Sequence, residues 1–359
     1  MNRHIDPDRF TEVGRVETFN PDDKPHGNEI PVFSAHDLGE MSFPPIKYAV
    51  PGLIPEGCSI LAGRPKLGKS WLALDIALAV ARGDYCLGDV KCEQGDVLYL
   101  ALEDNKRRLM SRIKKVSPPH TIDTWPEALE FATEWKRCGD GGLDMLRQWA
   151  ESKANPRLII VDVLAQFRSG RGDKESLYES DYKAVKGLQE LASEFNLTVI
   201  VVHHVRKGMS DTDPFERVSG TMGLTGAADT TIILDRDGNG CTLYARGRDI
   251  EEYEKAIVFN HDSCRWTVQG DAAEVRRTDE RGAILATLED ATEPMSSKDI
   301  EAATGMKGAN VRQLLLKMAR AGDVVKAKRG RYVHRNRADT STPDNNDNKG
   351  NNDGGDGDG

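Results

Sequence analysis

No stretch of the 359 residues approaches the roughly 20 apolar side chains in a row that a membrane-spanning helix needs. The opening Met1-Asn2-Arg3-His4-Ile5-Asp6 lacks the apolar core of a signal peptide, so the expected location is the cytoplasm. Aromatic residues are scarce at 6%, while charged ones reach 30%, the balance of a polar globular protein with a tail attached. The six cysteines (Cys58, Cys86, Cys92, Cys138, Cys241 and Cys264) show neither CxxC nor the Cys/His spacing of a zinc site. They read as reduced, structural residues. An overall positive charge is missing too: the formal net charge is −9, which argues against nucleic-acid binding until its distribution is considered. From Met306 to Arg337 there are ten Lys or Arg against one Asp, and from Ala338 to Gly359 six Asp against one Lys. A basic patch and an acidic tail are neighbours in sequence.

The length allows two or three domains. Residues 1–42 are polar and without a sustained period, and read as a flexible arm. From Phe43 onwards short apolar runs alternate with helical stretches. Buried-strand candidates are Cys58–Ala62, Val97–Leu102, Leu158–Val161, Thr198–Val202, Thr230–Leu234 and Thr242–Ala245. Trp71–Ala81 and Asp181–Glu194 read as helices. The alternation predicts an α/β domain over 43–270 with a mostly parallel sheet, whose strand ends would hold the ligand. Lys106–Pro156 is longer than a simple crossover and suggests an inserted helical excursion.

After Trp266 the pattern changes. Asp279–Leu288 reads as a helix, Ser296 opens a second with Asp299 as an imperfect capping box, and Gly308–Ala321 forms a third that Gly322 stops. Val324–Ala327 and Tyr332-Val333, joined by the basic turn Lys328-Arg329-Gly330-Arg331, make a hairpin. Over 275–336 this predicts a winged helix-turn-helix, followed by a disordered Asn/Asp/Gly tail at 338–359. In it, Asn310, Arg312, Gln313 and Lys317 could enter a duplex groove while Lys328, Arg329 and Arg331 hold phosphate. A protein-docking domain with a solvated basic face is the alternative.

The strongest chemical signal is Gly63-Arg64-Pro65-Lys66-Leu67-Gly68-Lys69-Ser70, a phosphate loop set between strand and helix, with Trp71 following. Glycines let backbone N–H groups surround phosphate oxygens, Lys69 reaches the β and γ phosphates of ATP, and Ser70 ligates Mg2+. Leu158-Ile159-Ile160-Val161-Asp162 delivers a second carboxylate beside the metal. Glu103 is the candidate base that orients and deprotonates the attacking water; Asp104 could take that role, or both could begin the next helix. His203 and His204 end a strand on the same expected edge, and one of them is assigned a site role. Arg246 and Arg248 could stabilise the transferring phosphoryl group, one of them from a neighbouring subunit, or form a solvated basic turn. The loops Arg168–Asp173 and Val205–Val218 could grip a phosphate backbone or be plain surface loops.

Val50-Pro51-Gly52-Leu53-Ile54-Pro55-Glu56-Gly57 running into the phosphate loop, Leu100–Asp104, Ile159–Asp162, Val202-His203-His204 and Gly220–Asp229 together resemble the RecA-like ATPases of the plasmid RepA helicase type. The likeness spans Phe43 to Trp266. It implies a RecA-type core that forms hexameric rings, hydrolyses ATP at subunit interfaces and moves along single-stranded DNA held by ring loops. It also implies Glu103 as catalytic glutamate, Asp162 as the magnesium-linked carboxylate, His204 as sensor, and Arg246 or Arg248 as the trans-acting arginine. Two other readings remain: an ATP-switched DNA-binding regulator that does not translocate, and a small-molecule kinase.

Overall fold

The computed structural model describes residues 32–117, 124–170, 177–205, 213–216, 222–237 and 240–340. The arm through residue 31, the tail beyond 340 and most of 206–221 lie outside the described residues, as do residues 171–173 of the first basic loop. The chain divides into two compact units between Gly270 and Asp271.

The first unit is built on a nine-stranded sheet. In chain order its strands are β1 (Gly57–Gly63), β2 (Asp96–Ala101), β3 (Leu129–Ala132), β4 (Pro156–Asp162), β5 (Thr198–His204), β6 (Thr230–Asp237), β7 (Gly240–Gly247), β8 (Tyr253–Asn260) and β9 (Arg265–Asp271). In space they run β9-β8-β7-β6-β1-β5-β4-β2-β3. From β6 to β3 neighbouring strands are parallel, and the pairs β6–β7 and β7–β8 are antiparallel. The helices α1 (Lys69–Arg82), α2 (Lys106–Val116), α3 (Gly142–Glu151) and α4 (Leu177–Phe195) lie between successive parallel strands.

Strand alternation sorts side chains onto two cores. Leu61, Tyr99, Ala101, Ile160, Ile200, Val202 and Leu234 pack on the α1 face. Ile60, Leu98, Leu100, Ile159, Val161, Val199 and Val201 pack on the opposite face with Val185 and Leu188 of α4 and Leu146 of α3. Because covered parallel strands are buried on both sides, they read as continuous apolar runs rather than as alternation. Helix α1 buries every residue from Leu72 to Ala81 and ends at Gly83, whose φ of 64° is the left-handed conformation that stops a helix.

Among its described residues, Lys106–Pro156 holds no inserted excursion. It makes two ordinary crossovers, α2 into β3 and α3 into β4, with β3 as the parallel edge strand. Strand β3 is four residues long, with Leu129 buried and Glu130 exposed, too short a pattern to stand out in the sequence. Strands β8 and β9 are likewise additions to the sequence reading.

The second unit comprises α5 (Ala272–Asp290), α6 (Ser297–Thr304), α7 (Gly308–Ala321) and a small sheet of β10 (Met295–Ser296), β11 (Val324–Lys328) and β12 (Arg331–His334) in the order β10-β12-β11. Ile284, Leu288, Ile300, Val311, Leu314, Leu315, Met318 and Val324 form its core. The capping box at α6 is complete: Ser296 Oγ accepts from Asp299 N and Asp299 Oδ2 accepts from Ser296 N. Aspartate therefore does here what glutamate does in the usual pattern. No helix among the described residues is long and apolar enough to cross a membrane.

Candidate active site

The loop Gly63–Ser70 leaves the end of β1 and turns directly into α1. Its first and last glycines are required by space. A Cβ on Gly63 would stand 2.5 Å from the carbonyl oxygen of Leu234, and one on Gly68 would stand 3.0 Å from the Trp266 ring in a residue with φ of 100°. Arg64, Pro65 and Lys66 are exposed on the outer rim, and Leu67 packs against the α1 core. Ser70 and Trp71 occupy the first turn of α1, where Arg112 stacks over the Trp71 ring at 5.3 Å. The start of a helix presents unpaired N–H groups, so loop and helix form one anion-binding end.

Lys69 is buried, and its Nζ donates to the carbonyls of Gly63 at 2.7 Å and Arg64 at 2.9 Å. Burial pulls its ammonium down to about 8, opposed by the negative charges of Asp162 and Glu103. Asp162 ends β4 next to Ala101 of β2, and its Oδ2 accepts a hydrogen bond from the Tyr99 hydroxyl at 2.8 Å. Glu103 lies just beyond β2 and is exposed. Asp104 is committed elsewhere: it pairs with Arg108 at 3.1 Å and Arg112 at 2.6 Å. The cap of α2 is Asn105, whose side chain accepts from Arg108 N, so neither acidic residue is the helix cap.

The two histidines separate by strand alternation. His204 falls on the face of Ile200 and Val202, the α1 face, and feels Lys69, Glu103 and Asp162; burial and Lys69 hold it below the ordinary imidazole value. His203 falls on the face of Val199 and Val201 and is brought down to about 4, chiefly by burial. It feels Asp181, whose carboxylate pairs with Arg168 at 2.7 Å. Lys69, Glu103, Asp162 and His204 are thus one electrostatic cluster beside the phosphate loop.

Arg246 and Arg248 are not part of it. Register puts Arg246 beside Thr231 and Gly247 beside Thr230, while Leu234, farther along β6, is beside Gly63. Arg246 therefore sits about 10 Å and Arg248, beside Asp229, about 16 Å away along the strands, toward the opposite end of β1. Arg246 makes a bidentate pair with Glu252 at 2.9 and 2.8 Å and lies over the Phe215 ring at 4.3 Å. Arg248 reaches Asp229 at 3.3 Å, whose other oxygen accepts from Cys58 N. Within one chain both side chains are engaged by acidic partners away from the loop.

Two residues of this neighbourhood escape sequence reading. Trp266 of β9 is 2% exposed and its indole nitrogen donates to Gly68 at 3.2 Å. Tyr99 carried one signal, a phenol inside an aliphatic buried strand, which must find a hydrogen-bond partner. Of the cysteines, Cys86 and Cys92 lie with their sulfurs 3.6 Å apart.

The sequence profile of the AAA domain family matches residues 26–210, more than half of the chain. The chain belongs to the AAA domain family. This AAA-domain protein carries its phosphate loop at the end of a strand in a largely parallel central sheet. It is 27% identical over 179 residues to the meiotic recombination protein DMC1 of Saccharomyces cerevisiae, a match covering 46% of this chain and 52% of that protein. The chain thus spans about half the length of that relative. Among solved structures it is similar to a DnaB-like replicative helicase, at 15% identity and a TM-score of 0.48 over 59% of this chain and 57% of the other. A KaiC-like protein from Pyrococcus horikoshii OT3 is similar at 12% identity and 0.43, over 62% and 99%.

The AAA-domain protein's residues fit a nucleotide with its magnesium ion. The loop leads into the N-terminal end of α1, Lys69 supplies a buried amine, and Asp162 a buried carboxylate. Among the described residues no group of three or more His, Cys, Asp or Glu could hold a metal by itself.

Proposed function

We propose that this chain hydrolyses ATP and acts on DNA as a ring-forming motor, a homo-hexameric helicase or translocase in the replication of a plasmid, phage or integrated element. The observation that carries it is the division of the candidate residues between two ends of one sheet. Lys69, Asp162, Glu103 and His204 gather at the phosphate loop, and Arg246 and Arg248 face away from it. If either arginine acts on the phosphoryl group, its placement makes that site a neighbouring copy's, and hydrolysis then depends on assembly.

In this reading Gly63–Ser70 cradles the triphosphate and Lys69 exchanges its two carbonyl partners for β and γ oxygens. Ser70 and Asp162 hold magnesium, which supplies charge neutralisation at the phosphates. Glu103 orients and deprotonates the attacking water, and His204 senses the γ phosphate. The basic sequences of 168–173 and 205–218 are assigned to gripping single-stranded DNA. Arg168, which opens the first of these, pairs with Asp181.

The domain reading is an arm at 1–42, the ATPase at 43–270, a winged helix at 275–336 and an acidic tail at 338–359. Three helices with a hairpin support the winged helix, and α7 exposes Asn310, Arg312, Gln313 and Lys317 on one face. That basic, polar face favours duplex DNA as a second partner and keeps one rival open, an ATP-switched DNA-binding regulator that does not translocate.

The deciding experiment is steady-state ATP hydrolysis with and without single-stranded DNA at one stated salt concentration, for wild type and Lys69→Ala. Stimulation lost in the variant supports the motor. Hydrolysis lost in the variant but indifferent to single strands supports the regulator, and activity surviving in Lys69→Ala refutes both.

A further inference from the structure

Tyr99 sits in the middle of β2, is 2% exposed, and has the aliphatic neighbours Leu98 and Leu100. A leucine or valine would fill such a position without a polar group to satisfy; a buried phenol must bond or lose the free energy of its hydration. Its bond goes to Oδ2 of Asp162, the carboxylate assigned to magnesium. Register makes this reach possible. Tyr99 pairs with Ile160 and Ala101 with Asp162, so the two side chains are diagonal neighbours on one face of adjacent strands. The Phe131 ring, 5.6 Å from the Tyr99 ring, packs against the phenol. A phenol is protonated throughout the neutral range and donates to the carboxylate.

We propose that Tyr99 is a positioning residue for the magnesium-linked carboxylate: by holding Oδ2 of Asp162 it fixes the carboxylate's rotation and leaves Oδ1 for the cation. The assignment deepens the ATPase reading and rests on it. An unrestrained aspartate turns about two bonds and must surrender that freedom when it engages a cation; a carboxylate already held in one orientation has surrendered it on folding. The phenol does not touch nucleotide or metal and acts only through Asp162.

Tyr99→Phe removes the hydroxyl and keeps the ring. For wild type, Tyr99→Phe, Asp162→Asn and the double variant, ADP binding is measured by calorimetry in EDTA and at rising Mg2+, alongside thermal unfolding. The expected result is unchanged ADP affinity in EDTA and a magnesium requirement raised about tenfold in Tyr99→Phe, the worth of one hydrogen bond to a charged group. In the Asp162→Asn background Tyr99→Phe adds no further change in magnesium requirement, since the two residues act as one. A filler of the core would lower the unfolding temperature and weaken binding equally in EDTA and Mg2+. That outcome, or a magnesium requirement equal to wild type, overturns the assignment while leaving the ATPase reading intact. A wild type whose ADP affinity gains nothing from Mg2+ overturns both.

Discussion

The indole nitrogen of Trp266 donates to the carbonyl oxygen of Gly68 at 3.2 Å, tying the last strand of the sheet to the last glycine of the phosphate loop. A Cβ on Gly68 would stand 3.0 Å from the same ring. One buried side chain thus both braces the loop and crowds any larger residue there.

Gly68→Ala is therefore expected to lose nucleotide binding and to cost about 1–2 kcal/mol from the positive φ alone. Trp266→Phe keeps an aromatic ring but loses the hydrogen bond, for about 1 kcal/mol of stability and a several-fold weaker ADP affinity. Chemical denaturation and calorimetry check both; ADP affinity unchanged in Gly68→Ala would show that the loop tolerates displacement.

Nucleotide affinity is expected to depend on pH through Lys69. Its folded value is lowered from 10.5 to about 8, so the ammonium is charged below pH 8 and loses its proton above. ADP affinity should fall as pH rises through 8, by at most tenfold per unit, and the fall should vanish in Lys69→Ala. Stability of the nucleotide-free protein runs the other way between 8 and 10.5, where the unfolded chain binds more protons.

The two histidines should separate experimentally. His203 is lowered from 6.5 to about 4, so between those values the unfolded chain binds the extra proton and stability is lost as pH falls. His203→Gln should flatten that stretch of a thermal-unfolding series. His204→Ala removes the share that its own lowered value contributes and, unlike His203→Gln, should also slow hydrolysis with ADP binding retained; slowed hydrolysis in His203→Gln alone would exchange their roles.

Assembly-dependent catalysis predicts complementation. Lys69→Ala and the double variant Arg246→Ala, Arg248→Ala should each be inactive alone. Mixed, they should regain a fraction of the activity, because some interfaces then pair an intact loop with intact arginines. No recovery in subunits shown to exchange would place the arginines outside the reaction.

Lys328, Arg329 and Arg331 changed together to alanine should weaken duplex binding about equally across sequences. The slope of log affinity against log salt should fall by up to about 2.7, at roughly 0.9 for each phosphate no longer neutralised. Deleting Asp339–Gly359 should tighten binding at low salt, since the acidic tail competes for the same basic surface. A salt slope that does not move identifies the basic surface as merely solvated.

The phosphate loop, the buried strands and the three C-terminal helices were legible in the sequence by itself, because each rests on local physics. Glycine and lysine spacing specifies a phosphate cradle, apolar runs specify doubly covered strands, and Gly322 with a φ of 79° stops the helix that begins at Gly308. Alternation puts His203 and His204 on opposite faces, and only the structure shows that His204 shares the face of α1. Only the tertiary structure decided the rest. Short strands such as β3 owe their state to a neighbour across the sheet rather than to their own four residues. Asp104 was withdrawn from the candidate bases by arginines a turn or two farther along α2, and Trp266 meets Gly68 across 198 residues. The far placement of Arg246 and Arg248 depends on β7 running antiparallel to β6. Register and strand direction are set by pairing between distant segments, and that pairing leaves no periodic trace within any one of them.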